Sequence, residues 1–139
     1  MKLIFFLYSV GFLAGTYTHV KDLVANGFLA SPVPLGIGLF WNVLTVLDPF
    51  TVLLLWWRPK AGIALAAAIM VVDVSVNTDT YLAGYFRPPT PHMVPLSLLE
   101  QALFGLFVLL TAPLAYQQLA LSKLPLTQGA AVTDSFSVR

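Results

Sequence analysis

The fold is decided by residues 35–84, which read LGIGLFWNVLTVLDPFTVLLLWWRPKAGIALAAAIMVVDVSVNTDTYLAG. Two long apolar runs flank the turn Arg58-Pro59-Lys60, and each is long enough to cross the roughly 30 Å hydrocarbon core of a bilayer as a helix. A backbone in lipid has no water to bond to, and a helix satisfies its polar groups within one segment. The stretch therefore predicts two membrane-spanning helices joined by a tight basic turn.

The remainder of the chain extends this pattern to a complete bundle. Four predicted helices follow from the apolar runs at about residues 3–20, 35–57, 61–84 and 93–120. Proline-containing segments separate the first helix from the second and the third from the fourth. We therefore predict one domain, residues 1–123, that is an all-α integral membrane four-helix bundle with up-down-up-down order, followed by a polar tail at residues 124–139.

The composition excludes an ordinary soluble protein. Hydrophobic residues make up 58% of the 139 residues and charged residues 9%, whereas a soluble domain carries about 25% charged residues. The formal net charge of +1 offers no basic face for nucleic acid, and the absence of cysteine excludes thiol chemistry. With two histidines in all, we predict no metal site and no cofactor. The expected solvent is a lipid bilayer, either the cytoplasmic membrane of a bacterium or an endomembrane.

Basic residues near the helix ends predict the orientation in the membrane. One side of the predicted bundle carries Lys2, Arg58, Lys60 and Lys123, and the other carries Lys21 and Arg87. Lysine and arginine are enriched in loops that stay on the cytoplasmic side. Both termini are therefore predicted to be cytoplasmic.

Two carboxylates fall at the same predicted depth inside the bundle. Asp48 lies twelve residues before Lys60 and Asp73 thirteen after it, so in a hairpin both stand roughly 18–20 Å from the inner surface. We expect them within about 10 Å of each other, and we expect them to hold one proton between them because neighbouring charges repel in a low dielectric. An ionisable residue at this depth indicates function by default; the alternative is a role in bonding helices together.

A second polar layer is predicted closer to the outer rim. Asn42, Asn77 and Glu100 each lie seven residues from the predicted outer end of their helix, roughly 10 Å below the rim. Asn77 follows Asp73 by four residues and so shares its helix face.

The candidate site is completed by groups at its mouth and by aromatic rings. His19 and Asp22 lie near the outer end of the first helix, while Trp41 and Phe104 offer faces that attract a cation by roughly 0.5–2 kcal/mol each. Such a site selects an apolar molecule that carries or develops positive charge. The predicted catalytic residues are Asp48, Asp73 and Glu100, and the predicted ligand-binding residues are His19, Asp22, Trp41, Asn42, Asn77 and Phe104.

The order of these features resembles the EXPERA group of four-helix membrane proteins, which includes sterol isomerases of the emopamil-binding type and the sigma-2 receptor. The resemblance covers residues from about 10 to 120, and its carriers are His19, Asp22, Asn26-Gly27-Phe28, Asp48-Pro49, Asp73 and Gln101-Ala102-Leu103-Phe104 leading to Pro113. It implies a membrane-embedded pocket, lined by carboxylates, for a sterol-like ligand or an amphiphilic amine.

Three functions are compatible with these observations. The first is a membrane protein that binds a hydrophobic ligand (sterol-like, isoprenoid or lipophilic amine) in a carboxylate-lined pocket; whether it is an enzyme stays open, and as an enzyme it would be an isomerase that transfers a proton. The second is a non-catalytic accessory subunit of a larger membrane complex. The third is a small proton-coupled transporter that works as a homo-oligomer. Carboxylates that face inward around a void favour the pocket, and carboxylates that face outward favour the subunit.

Overall fold

The computed structural model describes residues 1–29, 33–85 and 94–121. Its helices are α1 (Lys2–Asn26), α2 (Leu35–Trp57), α3 (Pro59–Leu82) and α4 (Leu96–Leu121). No strand is present among the described residues, which confirms the predicted all-α class. The predicted tail at 124–139, together with Lys123 and Arg87, lies outside the described residues.

The bounds of α2 match its apolar run, and those of the other three helices differ from theirs by one to six residues. α1 continues to Asn26, six residues beyond the predicted end, because no glycine or proline interrupts it before Gly27, whose positive φ of 84° ends the helix. α3 begins at Pro59, since a proline fits the first turn, where its missing N–H costs nothing. α4 begins at Leu96, three residues later than predicted. The apolar run therefore falls short of the helix at the end of α1 and extends beyond it at the start of α4.

The outer surface of the bundle is apolar. Within the described residues, all four helices are long and apolar enough to cross a membrane. Large hydrophobic side chains point outward on each of them, including Val46 on α2 with 71% of its surface exposed and Leu82 on α3 with 76%. Such a surface would aggregate in water, and it matches the lipid-facing side of an integral membrane protein.

Close helix packing depends on two glycines. A Cβ atom at Gly62 would lie 2.5 Å from the backbone nitrogen of Leu55, so α2 and α3 approach each other backbone to backbone at this point. A Cβ atom at Gly105 on α4 would lie 2.9 Å from the Val74 side chain on α3. Small residues at such crossings are typical of membrane helices, where van der Waals packing replaces the hydrophobic effect between helices.

Among the described residues, the side-chain hydrogen bonds from α1 to other helices are made by its first half. The Tyr8 hydroxyl is fully buried, donates to the carbonyl oxygen of Val108 on α4 at 2.9 Å, and lies 2.8 Å from the hydroxyl of Thr111. The Trp56 indole on α2 donates to the hydroxyl of Ser9 at 3.0 Å. These bonds join α1 to both neighbouring helices at the level where hydrogen bonds are shielded from water.

We expect Gly62→Ala to destabilise the bundle, because the new methyl group would push α2 and α3 apart. Overpacking of this kind costs about 1–3 kcal/mol. Thermal unfolding of the purified protein in one detergent measures the effect. Gly36→Ala is the matched control, since position 36 has no atom within 4 Å of the added Cβ, and it should leave the melting temperature unchanged or slightly higher. Equal melting temperatures for the two variants would contradict the close crossing.

Candidate functional site

A cavity of about 490 Å³ lies inside the bundle, within the roughly 300–1,000 Å³ typical of ligand pockets. It occupies the half of the bundle where α1 and α3 end and α2 and α4 begin. Its lining comprises Gly11, Phe12, Ala14, Gly15, Thr18, His19 and Asp22 of α1; Trp41 and Asp48 of α2; Ile69, Met70, Asp73 and Asn77 of α3; and Pro95, Ser97, Leu98, Glu100, Gln101 and Phe104 at α4. All four helices therefore contribute to one cavity.

The structure brings eight of the nine predicted site residues to this cavity: His19, Asp22, Trp41, Asp48, Asp73, Asn77, Glu100 and Phe104. Asn42 is the exception and does not line it. Successive residues of a helix point about 100° apart, so Asn42 turns away from the face that carries Trp41. Trp41 and Asp48, seven residues apart, share that face after two turns.

Asp73 is the centre of a hydrogen-bond network that links three helices. Its Oδ1 accepts from Nδ2 of Asn77 at 2.9 Å, and its Oδ2 accepts from Nε2 of Gln101 on α4. Nδ2 of Asn77 also donates to Oε1 of Gln101 at 3.0 Å, and Oδ1 of Asn77 accepts from the Trp41 indole at 2.9 Å. We call these four residues the Asp73 network. Both carboxylate oxygens thus have protein donors, which offsets much of the cost of burying them.

Asp48 is as buried as Asp73 but has a different environment. It is 4% exposed, against 7% for Asp73, and it lines the cavity. No donor among the described residues bonds to its carboxyl group, whereas a buried polar group normally has a partner. Gly15 on α1 leaves room for this side chain, because a Cβ atom there would lie 2.8 Å from Oδ2 of Asp48. Of the two buried carboxyl groups in the cavity lining, Asp48 is therefore the one that receives no hydrogen bond from the described residues.

The other acidic and basic groups lie towards the mouth. Asp22 and Glu100 are exposed, and His19 is partly buried. The lining as a whole includes four carboxyl groups and one imidazole but no lysine or arginine. No group of three histidine, cysteine, aspartate or glutamate residues in the described part of the chain could hold a metal ion. Any charge that these carboxyl groups carry is negative, and it attracts cations rather than anions.

Three residues that line the cavity, Gln101, Gly11 and Gly15, are not among the predicted site residues. In the sequence, Gln101 is distinguished only by the resemblance, whereas the charge of the neighbouring Glu100 makes it a predicted site residue. The signal that could have identified Gln101 is its position three residues before Phe104, on the same face of α4. Gly11 and Gly15 have the spacing of a helix-contact motif, and in the structure both line the cavity, Gly11 opposite the Phe104 ring and Gly15 opposite Asp48.

We expect Gln101→Leu to lower the stability of the protein, since it removes a donor from a buried carboxylate. A buried acceptor left without its partner costs about 1–3 kcal/mol. Gln118→Leu makes the same change on an exposed position of α4 and serves as the control. Thermal unfolding in a single detergent should separate the two variants. If both unfold at the wild-type temperature, the bond from Gln101 to Asp73 does not stabilise the fold.

Comparison of the chain with protein-family models, with curated proteins and with solved structures finds no match. The EXPERA resemblance therefore stays a prediction that is carried by the residues quoted above.

Proposed function

We propose that this integral membrane protein binds an amphiphile with a positively charged group, such as a lipophilic amine or a sterol-like or isoprenoid molecule that develops positive charge. The observation that carries the proposal is the Asp48 carboxyl group, which is buried beside the cavity without a donor from the described protein. An ammonium N–H supplied by a ligand would complete its hydrogen bonding. A charge-assisted bond of this type is roughly twice as strong as a neutral one.

The cavity lining suits both the hydrocarbon body and the positively charged group of such a molecule. Phe12, Ile69 and Met70 give the cavity apolar walls, which favour a hydrocarbon body. Trp41 and Phe104 add aromatic rings to the same lining, and an aromatic face attracts a cation by roughly 0.5–2 kcal/mol. A charge in this space is screened by little water, so its attraction to a carboxylate is stronger than at a surface.

The catalytic form of this proposal is an isomerase. One carboxyl group would deliver a proton to an alkene carbon, and the resulting carbocation would lose a proton from the adjacent carbon to a carboxylate, which shifts the double bond with no net change in atoms. Asp48 is suited to the proton transfer because none of the described residues donates a hydrogen bond to it. Asp73, held by Asn77 and Gln101, is suited to stabilise the positive charge as it develops.

The placement of the carboxylates favours this function over an accessory subunit. Asp48 and Asp73 face inward around a cavity, whereas residues that contact a partner helix would face outward. The outward surface near them is formed by apolar side chains such as Val46 and Val72, which suit lipid.

We further propose the up-down-up-down order with both termini in the cytoplasm. Its support is a set of hydrogen bonds between consecutive helices, each of which joins a residue near the start of one helix to a residue near the end of the other. The pairs are Ser9 with Trp56, Trp41 with Asn77, and Gln101 with Asn77. The basic side chains of the α2–α3 turn also lie on aromatic rings, Arg58 over Trp57 at 5.5 Å and Lys60 over Tyr116 at 5.2 Å. Aromatic and basic residues together are typical of the membrane interface.

A reporter fused to the C-terminus should test this topology directly. We expect activity from a reporter that works only in the cytoplasm and none from one that works only on the opposite side, because the cytoplasmic end of the bundle keeps the basic residues. A fusion of the same reporters after Gly84, at the opposite end of α3, should give the reverse result. A C-terminus on the non-cytoplasmic side would overturn the proposed orientation.

Asp48→Asn should abolish the stabilisation of the purified protein by a lipophilic tertiary amine, because the amide has no charge to offer. A ligand at a hundred times its Kd adds about 2.7 kcal/mol to the stability of the protein, which thermal unfolding can detect. Asp79→Asn is the matched control, since Asp79 is exposed on α3 and does not line the cavity; it should keep the full shift.

A neutral sterol of similar size completes the test. We expect it to stabilise the wild-type protein less than the amine does. Equal stabilisation by both molecules would refute the role of charge, and no stabilisation by either would refute the ligand pocket.

A further inference from the structure

The exposed residues of the cavity lining belong to two helices only. Ala14, Thr18 and Asp22 of α1 are exposed, as are Ser97 and Glu100 of α4. Every lining residue of α2 and α3 is buried or partly buried. The cavity is therefore closed on the side of α2 and α3 and reaches the surface of the bundle between α1 and α4. We call the gap edged by these five exposed residues the α1–α4 opening.

The contacts between α1 and α4 lie below this opening. Tyr8 bonds to Val108 and Thr111, and the Phe12 and Phe104 rings meet edge to face with centroids 5.6 Å apart. In the described chain, no hydrogen bond or ring contact joins residues 15–26 of α1 to residues 95–101 of α4. The two helices are thus joined as far as the Phe12 and Phe104 rings, which form one end of the cavity lining, and no such contact joins them beside the exposed part of the lining among the described residues.

The depth of the opening follows from the length of α1. Its 25 residues extend about 37 Å, which exceeds the roughly 30 Å hydrocarbon core. Lys21 and Asp22 mark the end that reaches into the headgroup layer. Thr18 lies one turn deeper than Asp22, and Ala14 a further turn, about 6 Å each. The opening consequently crosses the boundary between headgroups and hydrocarbon.

We propose that the amphiphile enters the cavity laterally from the lipid leaflet, through the α1–α4 opening. This proposal rests on the proposed function. Its hydrocarbon part stays in the bilayer while its charged group passes along the polar rim of Thr18, Ser97 and Glu100 towards Asp48. This route spares the apolar part any exposure to water, the step that costs most for a hydrophobic molecule. The carboxylates of Asp22 and Glu100 at the rim attract the cation before it enters.

The test blocks the opening and measures both rates of exchange. The probe is a lipophilic tertiary amine with a fluorophore on its apolar end, mixed with wild-type protein or variants reconstituted in vesicles. Thr18→Trp and Ser97→Trp place a large ring in the opening. We expect each to slow both association and dissociation by about tenfold or more, as a narrowed gate does, with a much smaller change in Kd.

Matched controls lie on the same helices. Leu13→Trp on α1 and Leu103→Trp on α4 add the same ring at exposed positions that do not line the cavity, and both should keep wild-type rates. If Thr18→Trp and Ser97→Trp exchange the probe as fast as these controls, the lateral route is wrong. If the wild-type protein shows no saturable binding of the probe, the proposed function fails rather than the route.

A reversible closure tests the same route without a bulky side chain. The chain has no cysteine, so Thr18→Cys with Ser97→Cys introduces the only two thiols, and a short bifunctional thiol reagent with a reducible linker can bridge them. Bridging before the probe is added should prevent its uptake, bridging afterwards should trap it, and reduction should restore exchange. Free exchange through a bridged opening would overturn the proposal.

Discussion

Both oxygens of the Asp73 carboxylate are bonded by the protein, unlike those of Asp48, and the orientation of three helices follows from these bonds. Lipid supplies no donors, so an unbonded carboxylate at this depth would cost several kcal/mol. The donors come from Asn77 on its own helix and from Gln101 on α4, while the Trp41 indole on α2 holds Asn77 in place. Three helices are thereby fixed in rotation about their axes. Once Trp41 faces this network, Asp48 must face the same interior, because it lies two helical turns further along α2.

α1 contributes no residue to the Asp73 network and borders the cavity by a different means. It contributes Gly11 and Gly15 to the lining, and the absence of their side chains makes room for the Phe104 ring and the Asp48 carboxyl group. Its polar anchor, Tyr8, bonds to the backbone of α4 well away from Asp48. The first half of α1 is therefore packed and the second half is free to border an open space. Such a division of one helix into an anchored part and a bordering part produces a cavity without any loss of helical hydrogen bonds.

The sequence predicted the four helices because the hydrophobic length required by a bilayer is a strong constraint. Counting from a tight turn also predicted that Asp48 and Asp73 lie at one level, because the rise per residue of a helix is fixed, and both residues line the same cavity. Rotation about the helix axis was harder to predict. Apolar residues cover all sides of each helix in a membrane, so no amphipathic pattern distinguished Asn42 from Trp41 or Glu100 from Gln101. The end of α1 was misplaced for a related reason: the apolar run ends with the hydrocarbon, whereas the helix ends at Gly27.

The structure at the two ends of the cavity distinguishes transport of a ligand across the membrane from binding or conversion of the ligand within the cavity. The polar lining stops at Asp48 and Asp73. Between these residues and the α2–α3 turn, the interior is filled by Thr51, Leu55, Ile63 and Ala66, each with 2% or less of its surface exposed. Cores packed to this degree transmit neither water nor a large solute without a rearrangement of helices. With the proposed lateral opening at one end and this packed interior at the other, the cavity suits binding or chemical conversion of a membrane-dissolved molecule. Transport across the bilayer would require this buried interior to open, and the backbone-to-backbone approach of α2 and α3 at Gly62 is part of it.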